Sequence, residues 1–245
     1  MTQSGAYSHN VKLSGIGARS DTLTSEKKRE ELLRLSKQRQ ADRREGYLCL
    51  SDIHAGYYEC DLVSPWSTSA QNVDAELMIL GKDWVSSETI ADRPPDPERR
   101  RIGQGWEVPT NKNLREYLSD CMDGLVFSET YASNVFPFIK HGKKNSSIRD
   151  ADMLYAAKKY ALPQIEIVSP RMVICLGPPA FHAVRRAAML PDIEWTEAIA
   201  PRPHTIISGA EVYGVWHPSM YPRWQNCGKA GVDPTRGAST GTSQA

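Results

Sequence analysis

The chain has 245 residues and a mass of 27.3 kDa, with 30 Lys and Arg against 29 Asp and Glu, a formal net charge of +1. A balance this near neutral excludes a histone-like polycation while allowing a local basic patch. With 40% hydrophobic and 24% charged residues, wholesale disorder is excluded as well. No apolar run approaches the ~20 residues of a membrane span, and the polar first ten residues lack the apolar stretch of a secretory signal. The expectation is a cytoplasmic protein, monomeric, with one α/β domain and flanking segments.

In chain order, residues 1–24 read as a polar lead-in. Residues 25–45 read as a charged surface helix, with Thr24 or Ser25 as N-cap and Gly46 as its stop. The sequence thus divides into an N-terminal segment over 1–45, a domain over 46–227 and a Gly/Ser/Thr-rich tail over 228–245 expected to be disordered. Within the domain four runs read as strands: 75–80 (AELMIL), 130–135 (TYASNV), 171–176 (RMVICL) and 211–217 (EVYGVWH). Three are nearly continuous apolar runs, the pattern of strands covered on both faces. Helical patterns separate them at 113–122, at 148–167 with a break near Pro163, and at 179–189. Strands alternating with helices predict a three-layer α/β/α sandwich around a central, mostly parallel, four-stranded sheet.

The five cysteines (Cys49, Cys60, Cys121, Cys175, Cys227) are odd in number and widely spaced, with no C-x-x-C. They read as reduced structural thiols rather than a disulfide framework or zinc site. Phosphate-loop, zinc-protease, serine-elbow and zinc-deaminase motifs are also missing. No metal or organic cofactor is expected.

The informative residues stand where the predicted strands end. The first run delivers Gly81-Lys82-Asp83-Trp84, the second carries Asn134, the third leads into Gly177-Pro178 and the fourth into His217-Pro218-Ser219. In open parallel sheets the ligand crevice lies beyond the carboxyl ends of the strands, so an Asp, an Asn and a His are expected to share one cleft. An Asp can orient a water or stabilise a developing cation, and a neutral His can donate a hydrogen bond to a developing oxyanion. An Asn amide matches the edge of a nucleobase. Plainer roles exist for each. Asp83 suits a helix N-cap, His217 a structural turn beside Pro218, and Asn134 the capping of backbone groups at a strand end.

Taken together, GKDW at 81–84, Asn134 in YASNVFPF, VICLGPPA and His217-Pro218-Ser219 resemble the uracil-DNA glycosylase superfamily over about residues 70–227. Gly81-x-Asp83 is similar to that family's G-Q-D-P-Y motif, with Lys82, Trp84 and Val85 replacing Gln, Pro and Tyr. The resemblance implies that Asp83 positions the attacking water and stabilises the cationic sugar. It implies that neutral His217 bonds the uracil O2 and that Asn134 reads N3–H and O4. Gly81, Lys82, Trp84, Val85 and Ser219 would line the site, with Trp106 or Trp84 stacking on the extruded base. Met220, Tyr221 and Arg223 would wedge into the DNA, and Lys140 and Lys143 would grip phosphates.

Departures qualify the resemblance. Val85 is too small to exclude the thymine methyl as Tyr does. Cys49 and Cys60 lie too far apart for the close pair of the iron–sulfur branches. Arg99-Arg100-Arg101-Ile102 resembles the loop of a branch that traps abasic DNA through a His, but Gly103 occupies that position. The expected activity is therefore hydrolytic excision of uracil from single- or double-stranded DNA. The alternatives are a broader mismatch or damaged-base glycosylase, a catalytically silent uracil- or abasic-DNA-binding module, and a small-molecule nucleoside hydrolase.

Overall fold

The computed structural model describes residues 23–105, 108–122, 124–200 and 205–220. The predicted tail, Trp106, Tyr221, Arg223 and Cys227 lie outside them.

Helix α1 (Ser25–Ala41) starts at Thr24, whose hydroxyl accepts from the Lys27 N–H, and stops at Asp42 rather than Gly46. It is no free surface helix: Leu32 and Leu35 join the main core. Two of its cations are buried because carbonyls receive them. Lys28 Nζ donates to the carbonyls of Val73 and Val168, and Arg39 to those of Cys60 and Leu62. The weak apolar pattern of α1 hid this docking, since polar heads rather than a hydrophobic stripe do part of the anchoring.

Strands β1 (Tyr47–Leu48), β2 (Leu77–Asp83), β3 (Tyr131–Phe136), β4 (Ile139–Lys140), β5 (Met172–Leu176), β6 (Ile206–Ile207) and β7 (Ala210–Val215) form two sheets. The main sheet has five strands in the order β3-β2-β5-β7-β6, the first four parallel and β6 antiparallel at the edge. The four expected strands are all present. The fifth joins through a two-residue turn, Ser208-Gly209, with both φ angles positive (50° and 79°), as a tight hairpin requires. Antiparallel β1 and β4 make a separate small sheet; strands of two residues leave no readable period. Strand β2 also outruns its apolar stretch, because Gly81 and Asp83 pair with Asn134 and Phe136 of β3. Backbone pairing carries the polar residues into the sheet.

Helices cover both faces. On one lie α1, α5 (Asp150–Ala156), α6 (Leu162–Val168) and α7 (Pro178–Ala187), over Met78, Leu80, Val135, Val173 and Cys175. On the other lies α4 (Pro109–Cys121), whose Leu114, Tyr117 and Leu118 pack with Leu77, Ile79, Ala132, Ile174, Leu176, Tyr213 and Val215. Short helices α2 (Ser87–Ile90), α3 (Pro97–Ile102) and α8 (Trp195–Ala198) complete the set among the described residues. The expected break at Pro163 is absent. A π-helical turn (Ala157–Ala161) links α5 to α6 and absorbs the proline ring and its missing donor without ending the helix.

Candidate active site

The chain runs from β2 outward to β3, then crosses back to β5 and on to β7. Connections therefore leave β2 and β5 in opposite directions, the switch point beyond whose carboxyl ends an open parallel sheet offers its ligand crevice. Side chains alternate between faces along a strand. Leu77, Ile79, Ala132, Tyr213 and Val215 point to the α4 face. The same parity assigns Gly81 and Asp83 of β2, Asn134 of β3 and His217, two residues past β7, to that face. The backbones of β2 and β7 are separated by β5, about 10 Å in all, a gap that side chains reaching in from both sides can close around a flat ring.

The Asn134 amide is held in one orientation. Ser64 Oγ accepts the Trp66 N–H at 3.3 Å, so its own proton goes to Asn134 Oδ1 at 2.6 Å. That fixes Oδ1 as the acceptor end, with one lone pair unused by Ser64. The Nδ2 end lies over Gly81, where a Cβ would come within 2.6 Å of Nδ2 and 3.2 Å of Trp66 Cζ3. Glycine is required here by close approach, not by an unusual φ. Trp66 is buried, and its Nε1–H donates to Gln104 Oε1 at 3.0 Å.

His217 is fixed as firmly. The Ser219 backbone N–H, which can only donate, points at Nδ1 at 3.3 Å, and Ser219 Oγ lies 2.7 Å from the same nitrogen. Nδ1 is therefore the acceptor, and in the neutral ring the proton sits on Nε2. Burial, reinforced by the Lys144 cation and to a smaller extent by Lys82, pulls the imidazole pKa down to about 4 against the opposing carboxylate of Asp83. The ring is neutral at physiological pH. Beneath the loop, Asn113 of α4 donates to the Pro218 carbonyl at 2.8 Å. Gly177, with φ +89°, lets α7 begin beside His217, and its prolines at the first helical positions need no donor partner.

Asp83 is less open than the sequence suggests. Its Oδ2 meets Lys140 Nζ at 2.9 Å and its Oδ1 meets Lys82 Nζ at 3.2 Å. The Lys140 side chain is only 3% exposed, so it faces the carboxylate and not a DNA phosphate; the phosphate-gripping role expected of it is corrected. Burial lowers its ammonium pKa, with Asp83 pulling the other way. Lys82, of opposite parity, stands at the mouth and lines a neighbouring cleft of about 400 Å³ with Ser146, Pro178, His182 and Arg186.

Two other expected roles change. Trp84 is a half-buried strut: its Nε1–H donates to the Gly103 carbonyl at 2.8 Å and its ring packs at a steep angle against Tyr58. Val85 packs into the small core of Leu50, Ile53, Tyr58, Ile90 and Ile139. Gly103 caps α3 with φ +76°, and a Cβ there would strike the Pro65 carbonyl, so no trapping side chain fits.

Between residues 140 and 186, four of the nine Lys and Arg pair with acids outside that stretch. Lys140 pairs with Asp83, Lys159 with Asp42, Arg171 with Glu76 and Arg186 with Asp192. Lys143, Lys144 and Lys158 are exposed and in no ion pair among the described residues. Met220 belongs to the short turn after His217.

Sequence reasoning missed Ser64, Trp66 and Lys144. Ser64-Pro65 carried a signal, a capping residue followed by proline at the first helical position; Lys144 stood out only as one cation of a basic stretch. Among the described residues no group of three or more His, Cys, Asp and Glu could hold a metal ion, and none of their helices is long and apolar enough to cross a membrane. No protein-family model and no curated protein matches this chain.

Proposed function

We propose that the protein is a DNA glycosylase that hydrolyses the N-glycosidic bond of uracil in DNA, leaving an abasic site. The observation that carries this reading is the shared face of Asp83, Asn134 and His217 at the switch point, with His217 neutral and its proton on Nε2. An extruded uracil would meet the Asn134 Nδ2–H at O4 and the remaining lone pair of Oδ1 at N3–H. Cytosine offers the reverse pattern, and a buried amide left unpaired penalises it by orders of magnitude. As the glycosidic bond breaks, negative charge gathers on the base, where Nε2–H of His217 donates to O2. Preorganised donors of this kind are worth about 3–4 kcal/mol. Asp83 orients the water toward the anomeric carbon. With Lys82 and Lys140 on one carboxylate, the trio carries a net +1, which favours an anionic leaving group over a cationic intermediate.

The packing of half-buried Val85 against the Leu50, Ile53 and Ile90 cluster favours a broader mismatch or damaged-base glycosylase as the second reading, since so small a side chain is a poor barrier to a 5-methyl group. The double ion pair at Asp83 likewise favours the catalytically silent binding module over a small-molecule nucleoside hydrolase. A gel assay with alkaline cleavage of single- and double-stranded oligonucleotides holding U, T, hypoxanthine or C separates these. Excision of uracil, lost in His217→Ala, is the expected result. Tight binding to uracil or abasic DNA with no excision would replace the reading with the binding module, and excision of several bases with the broader enzyme.

A further inference from the structure

Asp83 holds two lysines where one would neutralise it. Lys82 sits at the mouth, its side chain 29% exposed, whereas Lys140 and the base-reading Asn134 are each about 3% exposed, both deep in the fold. Lys140 is delivered by β4 and bridged to Ser86, so its ammonium is aimed at the carboxylate from a fixed backbone. One proton lost from this trio brings it from net +1 to neutral. We propose that Lys140 is an amine nucleophile that forms an imine with the open-chain aldehyde of an abasic deoxyribose in this site, giving the protein an abasic-site lyase activity after base excision. The inference rests on the crevice being a uracil-excision site. Burial and the adjacent Lys82 cation both favour the neutral amine of Lys140, against the pull of Asp83, the two influences that activate imine-forming lysines elsewhere.

The chemistry balances without a co-reactant. Lys140 releases a proton to solvent, and its lone pair attacks C1′ of the aldehyde. The carbinolamine takes up a proton from solvent and loses water to give a protonated imine. Asp83 then takes a proton from C2′, and the electron pair expels the 3′-phosphate as the C3′–O bond breaks, leaving a C2′=C3′ double bond. Water hydrolyses the imine and frees Lys140.

The test uses the full-length protein and an oligonucleotide with a pre-formed abasic site, so it does not depend on uracil excision, which is read separately on uracil-containing DNA. Sodium cyanoborohydride reduces the imine to a stable protein–DNA adduct, resolved on a denaturing gel and mapped by peptide mass. A wild-type adduct on Lys140 is expected, unchanged in Lys158→Ala and lost to background in Lys140→Arg, whose guanidinium keeps the charge beside Asp83 but forms no imine. No wild-type adduct, an adduct mapping to another residue, or an adduct surviving in Lys140→Arg overturns the proposal. Mapping on the wild type decides the matter even if the variant folds poorly. An adduct on Lys140 without uracil excision would support the lyase while refuting the glycosylase.

Discussion

Adding one methyl group at Gly81 tests the candidate site more sharply than removing a catalytic side chain. In Gly81→Ala the new Cβ would lie 2.6 Å from Asn134 Nδ2 and 3.2 Å from Trp66 Cζ3. An ordinary contact needs about 3.4 Å, so the amide must retreat by about 0.8 Å while the indole gives by a few tenths. Asn134 can move only by loosening its 2.6 Å bond from Ser64. The yielding atom is the end of a side chain and the Gly81 backbone is ordinary, so the stability cost is that of mild overpacking, about 1 kcal/mol. The catalytic cost is larger, because displacing a recognition group by about 1 Å costs on the order of 100-fold in rate. Single-turnover excision from uracil-containing DNA and a thermal melt measure the two together. A large rate loss with a small shift in Tm is expected. Excision within a few-fold of wild type in a folded Gly81→Ala protein would refute the assignment of Asn134 as the base-reading group.

Three further outcomes follow from the site. The pKa of His217 in the folded protein, about 4, lies below its ordinary 6.5, so the unfolded chain binds the extra proton first as pH falls. Stability should therefore drop between roughly pH 6.5 and 4, by up to about 3 kcal/mol, while excision stays level down to about pH 5. Lys144→Ala should move that acid limb upward, and a wild-type limb centred near 6.5 would contradict the neutral-histidine argument. Asp83→Asn should lose most excision and also destabilise the fold by about 3 kcal/mol, because Lys140 is left buried without its counter-charge; urea titration checks the second part. Ser64→Ala should free the Asn134 amide to rotate, narrowing the preference for uracil over cytosine and costing about 1–2 kcal/mol of stability.

The alternation of apolar strands and helices was readable in the sequence, because strands covered on both faces must be apolar throughout, and all four predicted strands stand in the sheet. The ends of β5 and β7, just before Gly177 and His217, were readable too, whereas β2 and β3 run on through the buried Gly81 and Asn134 to Asp83 and Phe136. Tertiary structure alone supplied the strand order, and with it the switch point between β2 and β5. It also decided which charges meet. Lys140 looked like a surface cation but faces Asp83, from which it is 57 residues distant in sequence. Likewise Trp84 and Val85 follow Asp83 directly but turn into packing, while the buried Ser64 and Trp66, outside every motif, touch Asn134 and Gly81. Periodicity is a local property of a chain, set by the alternation of side chains along each element. Ion pairs and the partners of a buried amide depend on folding that brings distant residues within about 3 Å, a proximity no local pattern records.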